Sequence, residues 1–169
     1  MTSQTSPGNL SAKTLRAVDL TMMGAGRFKA TNRRGGVLPI GSGDDPDFTP
    51  VELLLASLAA CGAIDLELVT RKRAPFETFA ARATGHKVRD EQGSHLVSLS
   101  VTFEVTFPPG EAGDQARAVV PRTLQQIEDR LCTVGRTVAL GEPVSYVEGA
   151  ITGRLDNPLE ILADSTGED

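Results

Sequence analysis

Phe48-Thr49-Pro50-Val51-Glu52-Leu53-Leu54-Leu55-Ala56-Ser57-Leu58-Ala59-Ala60-Cys61 is the stretch on which the fold turns. Thr49 stands where a helix N-cap belongs, Pro50 suits the first helical position, and Glu52 follows Thr49 by three residues. That is the Thr-x-x-Glu spacing of a capping box, in which each side chain accepts a backbone N–H of the other. From Pro50 onward the chain is apolar on almost every helical face. It stays so until Arg71-Lys72-Arg73, which face the negative end of the helix dipole just before Pro75 stops the element. For that basic triplet, helix termination is a sufficient reading. A helix over residues 50–73 with so little polar surface is expected to be buried. One small sheet from a chain this short cannot cover it, so a homodimer around a central helix is expected.

Working outward, residues 14–20 suit a strand and Gly24-Ala25-Gly26 a turn. Residues 27–31 and 37–40 can pair across Asn32-Arg33-Arg34-Gly35-Gly36, a good turn sequence. Beyond the helix, Val97, Leu99, Val101, Phe103, Val105 and Phe107 alternate with polar residues, the period of a half-buried strand. Residues 79–88 are expected to pair with it through Arg89-Asp90-Glu91-Gln92-Gly93. Val120, Leu124, Ile127 and Leu131 recur at helical spacing, with Pro121 delaying or kinking that helix, and residues 144–151 read as a closing strand. The order β-β-β-α-β-β-α-β, with strands in adjacent pairs, predicts an α+β fold with a mainly antiparallel sheet. Residues 13–152 form one expected domain. Residues 1–12 read as a flexible N-terminal tail and 153–169 as an acidic C-terminal tail.

The chain has 169 residues and a formal net charge of 17 − 22 = −5. With no Trp, one Tyr and an acidic balance, it lacks the basic stripes and stacking aromatics of a nucleic-acid platform. No apolar run approaches the roughly 20 residues of a membrane span, and no basic-then-apolar leader opens the sequence, so no membrane partner and a cytoplasmic location are expected. The two cysteines, Cys61 and Cys132, lie 132 − 61 = 71 residues apart, and neither forms a tight pair with His86 or His95, so no metal site is expected. A structural disulfide is disfavoured in a reducing cytosol, which leaves two small core residues or a functional pair. His86 and His95 read as solvent-facing strand residues.

Leu54, Ser57, Leu58, Asp65 and Leu68 share the helix face of Cys61. Apolar surroundings and a carboxylate one turn away both disfavour a thiolate, so a reactive Cys61 needs a cation from elsewhere. Cys132 falls at an expected break in the second helix, in Arg130-Leu131-Cys132-Thr133-Val134-Gly135-Arg136-Thr137, where flanking arginines favour ionisation.

Residues 48–65 and 130–137, in this order and with a hairpin and helix between them, resemble the two motifs of the OsmC/Ohr family of thiol peroxidases and its OsmC-like branches. The resemblance covers about residues 14–152. It implies an intertwined homodimer with two long central helices packed between sheets. It also implies a reaction: Cys61 attacks the distal oxygen of an organic hydroperoxide, and the resulting sulfenic acid condenses with Cys132 to a disulfide. An external dithiol, lipoyl-type or another small thiol, restores the pair, with no metal, flavin or haem. An arginine from the N-terminal strands faces the thiolate in such proteins. Arg27 is the first candidate, then Arg33 and Arg34.

One position departs from the peroxidase pattern. There, a Glu directly after the helix proline holds the arginine, and here Val51 stands in its place. Glu52 comes one residue later, about 100° further round the helix and roughly 13 Å along the axis from Cys61, so it can serve a Cys61 site only across a dimer interface. The alternative reading is a binding or redox-sensing protein of the same fold, with a small hydrophobic ligand held at the interface.

Overall fold

The computed structural model describes residues 14–151. The tails expected over 1–12 and 153–169 lie outside the described residues. The described chain forms two compact units, residues 14–50 with 145–151, and Val51–Val144. The architecture is α+β with antiparallel sheets only.

The first unit is a three-stranded meander of β1 (Val18–Gly24), β2 (Arg27–Asn32) and β3 (Val37–Ile40). Gly26 adopts a left-handed φ of 68° in the β1–β2 turn, which a side chain would oppose. The β2–β3 turn is closed by the Asn32 side chain: its Oδ1 accepts from the backbone N–H of Arg34 (2.9 Å) and of Gly36 (3.1 Å). Leu20, Ala30 and Leu38 pair across the sheet, as do Met22, Phe28 and Ile40, so one face is apolar. Ala30 and Ile40 are buried there, while Leu20 and Met22 stay more than half exposed.

The second unit is built on α1 (Pro50–Thr70), followed by the hairpin β4 (Thr78–Asp90) and β5 (Gly93–Thr106). Then come α2 (Glu111–Gln126), a π-helical turn over Ile127–Leu131, and α3 (Thr133–Leu140). α1 begins at Pro50, as the missing N–H of proline allows, and ends at Thr70, earlier than expected. Arg71 and Arg73 lie just beyond it: Arg73 Nη1 donates to the Val69 carbonyl at 3.3 Å, and Arg71 meets Glu67 at 3.6 Å. The triplet terminates the helix, as read.

β5 keeps its alternation from Leu99 to Val105, with inward residues half-buried and outward ones exposed. The alternation extends back to Val97, half-buried beside exposed Ser98, although a bulge opposite Gly85 sets Ser98 at φ 54° and shifts the register. The inward side chains meet two adjoining clusters. Leu66, Ile127 and Cys132 are buried with Phe103 and Val134 against them, and Ala74, Phe107 and Ala116 are buried with Phe76 and Val105 against them. Gly62 lets β5 approach α1 closely, since a Cβ there would stand 2.9 Å from Phe103 Cζ. Leu66 is wholly buried, which stabilises the unit by about 1.5–3 kcal/mol.

Three expectations need correction. α2 is not delayed by Pro121 but runs through it from Glu111. Residues 144–151 form no strand. Strand-favouring residues still need an edge to pair with, this segment pairs with none among the described residues, and Tyr146 and Val147 are over 90% exposed. Within one chain α1 is covered along one stripe only, as expected of a helix that one small sheet cannot enclose: Gly62, Leu66 and Thr70 are buried at four-residue spacing, while Val51, Leu54, Ile64 and Leu68 are exposed. Finally, α1 with 21 residues and a mean hydropathy of 1.8 is long and apolar enough to cross a bilayer. Length and composition do not separate such a span from a helix covered by protein.

Candidate functional site

Cys61 lies in the middle of α1, half-buried, and packs against the cluster that contains Cys132. Both thiols are free. Cys132 is brought to it by the π turn. An extra residue in that turn directs the Cys132 N–H to the Ile127 carbonyl (3.2 Å), ends the α2 register and leaves Cys132 extended, at φ −67° and ψ 103°. Cys132 thereby becomes the N-cap of α3: its Sγ accepts the Gly135 N–H at 3.2 Å, taking the place of the usual hydroxyl or carboxylate cap. Gly135 allows this closeness, because a Cβ there would sit 3.3 Å from that sulfur.

Cys132 is 5% exposed. Burial pushes its thiol pKa up, the Gly135 N–H counters that, and the adjacent Cys61 thiol and the Asp65 charge raise it further. The thiol of Cys132 is thus held neutral. Asp65 follows Cys61 by one turn, and its Oδ2 is buried without a hydrogen-bond partner among the described residues.

Arg27, at the start of β2, is bound in its own unit: Nε (3.1 Å) and Nη2 (2.6 Å) both donate to Asp47 Oδ2. Sequence reasoning missed Asp47. The available signal was the acidic run Asp44-Asp45-Pro46-Asp47 facing a basic strand start. Arg33 and Arg34 lie in the β2–β3 turn, where with Arg16 and Asn32 they line a cavity of about 820 Å³. Glu52 is exposed in the first turn of α1. His86 is exposed on β4, and His95, also exposed, lies 3.7 Å from Asp90. Among the described residues no three His, Cys, Asp or Glu side chains gather as metal ligands.

A family model described as OsmC-like protein matches residues 41–147, which include α1, both cysteines and everything between them. The chain belongs to the OsmC-like family. The solved structures it resembles include a hypothetical protein from Aquifex aeolicus VF5 (16% identity, 75% of this chain and 88% of that one, TM-score 0.60). An OsmC-like protein from Mycoplasma pneumoniae is similar at 15% identity, 75% and 88% coverage and TM-score 0.58. An OsmC-like protein of unknown function from Vibrio cholerae is similar at 11% identity, 73% and 93% coverage and TM-score 0.60. At these identities the likeness concerns the OsmC-like fold. None of the curated proteins matches the chain.

Proposed function

We propose that this OsmC-like protein reduces organic hydroperoxides through a cycle of Cys61 and Cys132, in the cytoplasm and as a homodimer. The observation that carries the reading is the meeting of two thiols 132 − 61 = 71 residues apart in one apolar cluster, both free. The family includes thiol peroxidases, and its members are typically homodimeric.

The Cys61 thiolate attacks the distal oxygen of the hydroperoxide. The O–O bond breaks, Cys61 becomes a sulfenic acid, and the alkoxide leaves as alcohol after taking a proton. Cys132 then displaces the sulfenic oxygen as water, and an external dithiol reduces the resulting disulfide. Cys61 takes the first role because it is half-buried and reachable, whereas Cys132 is enclosed and held neutral. Arg27 is the cation proposed to favour the Cys61 thiolate, with Asp47 holding its guanidinium in place of the Glu that Val51 replaces. The open face of α1, including Ile64 and Leu68, supplies the apolar surface for a second copy.

Titrating the reduced protein with an organic hydroperoxide tests the reading. Loss of both thiols to one intramolecular disulfide within seconds is the expected result. A protein that only binds a hydrophobic ligand keeps its thiols.

A further inference from the structure

The mechanism above leaves Asp65 without a task. Its Oδ2 is buried with no hydrogen-bond partner among the described residues, an unfavourable state for a carboxylate oxygen. One turn after Cys61, it shares that residue's face of α1, and its charge reaches Cys132. Leu66, Ile127, Phe103 and Val134 belong to the apolar cluster that holds the pair. The titratable groups acting on Cys132 are Cys61 and Asp65, both from α1. In the chain flanking Cys132, Arg130 is exposed and Arg136 half-buried.

The resolving step needs what this arrangement holds. A neutral thiol is a poor nucleophile, so Cys132 must lose its proton to attack. The Gly135 N–H already points at Sγ and can stabilise the charge that develops there, but it accepts no proton. The hydroxide leaving Cys61 needs one. We infer that Asp65 is the proton carrier of disulfide closure: its carboxylate takes the Cys132 proton as Cys132 Sγ attacks Cys61 Sγ, and delivers it to the departing oxygen. The Cys132 S–H and Cys61 S–O bonds break, an S–S and an O–H bond form, and water leaves. Cys132 sulfur is oxidised, Cys61 sulfur is reduced from sulfenic acid, and Asp65 ends ionised as it began. This role rests on the peroxidase reading, and the experiment separates the two.

The full-length protein and Asp65→Asn are each mixed with one equivalent of cumene hydroperoxide. Sulfenic acid is trapped with dimedone, and disulfide closure is followed by loss of the second thiol. Asp65→Asn is expected to form the sulfenic acid and to close the disulfide about 100-fold more slowly, the scale of general acid–base assistance. Closure at the wild-type rate overturns the assignment. A peroxide-free arm uses the wild-type protein alone: one equivalent of dithiobis-nitrobenzoate places an aromatic thiol on reachable Cys61, and attack by Cys132 releases it as a coloured thiolate. With Asp65 as base, that release is level between about pH 6 and 8, because the proton passes to the protein and not to solvent hydroxide. A rate rising about tenfold per pH unit, as unassisted thiol ionisation gives, overturns the role even if Asp65→Asn does not fold. A level profile with no oxidation of Cys61 by peroxide defeats the peroxidase reading and leaves Asp65 as the base of the cysteine pair.

Discussion

Arg27 delivers two donors, Nε and Nη2, to a single oxygen of Asp47, at 3.1 and 2.6 Å. Asp47 is itself fixed, because its backbone N–H donates to Asp45 Oδ1 at 2.9 Å and its side chain is only 14% exposed. The loop before α1 thus supplies this arginine with a fixed carboxylate partner. The Arg27 side chain is 47% exposed, so solvent screens the pair and it adds little to stability. Its expected effect is on orientation. Arg27→Ala slows oxidation of Cys61 by hydroperoxide, Asp47→Ala slows it less, and the double variant is no slower than Arg27→Ala. Stopped-flow rates for the three proteins check this, and additive losses would separate Asp47 from Arg27.

Cys132 carries a pH signature. Its pKa is raised in the folded protein, chiefly by burial. The unfolded chain therefore ionises this thiol first as pH rises, and the folded state binds the additional proton. By linkage its contribution to stability is complete below the ordinary thiol pKa of about 8.5 and is lost as pH climbs through the folded value. Urea unfolding of the reduced protein should show stability falling above about pH 8.5, and Cys132→Ala should remove that part of the fall. An identical alkaline slope in both proteins would show that Cys132 does not titrate in this way.

Local chemistry made much of this legible beforehand. Pro50, the basic triplet after Thr70 and the alternation from Leu99 to Val105 each express one element's own preference, and each appears where the sequence placed it. The break at Cys132 was readable as a break, but the π turn that produces it was not. Neither was the use of a thiol as a helix cap, because both depend on α2 continuing through Pro121. Asp47 was missed because the bond to Arg27 spans 20 residues and no periodicity announces it. The strand expected over 144–151 failed for a related reason, since pairing is a property of two segments and only one was read.

The open side of α1 predicts assembly. Ile64 is 61% exposed and Leu68 41% exposed on a helix with a mean hydropathy of 1.8, a surface that a water-soluble monomer would have to leave wet. Sedimentation equilibrium is expected to give twice the 17.8 kDa chain mass at micromolar concentration. Ile64→Asp places a charge on that face and is expected to shift the protein toward monomer or unfold it. A folded wild-type monomer would count against the dimer.

The roles of the two cysteines can be separated by single substitutions, because burial and capping treat them differently. Cys61 is half-buried and does not cap a helix, so Cys61→Ser should leave the fold intact and abolish hydroperoxide consumption. Cys132→Ser should allow one turnover and then stall with Cys61 as sulfenic acid. A serine hydroxyl can still accept the Gly135 N–H, so α3 keeps its cap, whereas Cys132→Ala loses it at a cost of about 1 kcal/mol. Glu52, exposed at the start of α1, is expected to act on stability rather than on the reaction: Glu52→Ala should lower the unfolding midpoint by an amount equivalent to about 1 kcal/mol and leave the peroxide rate unchanged. Single-turnover peroxide consumption, dimedone trapping and urea unfolding on these four variants give the comparison. Full steady-state turnover in Cys132→Ser would remove Cys132 from the cycle, and a slowed peroxide reaction in Glu52→Ala would bring Glu52 into it.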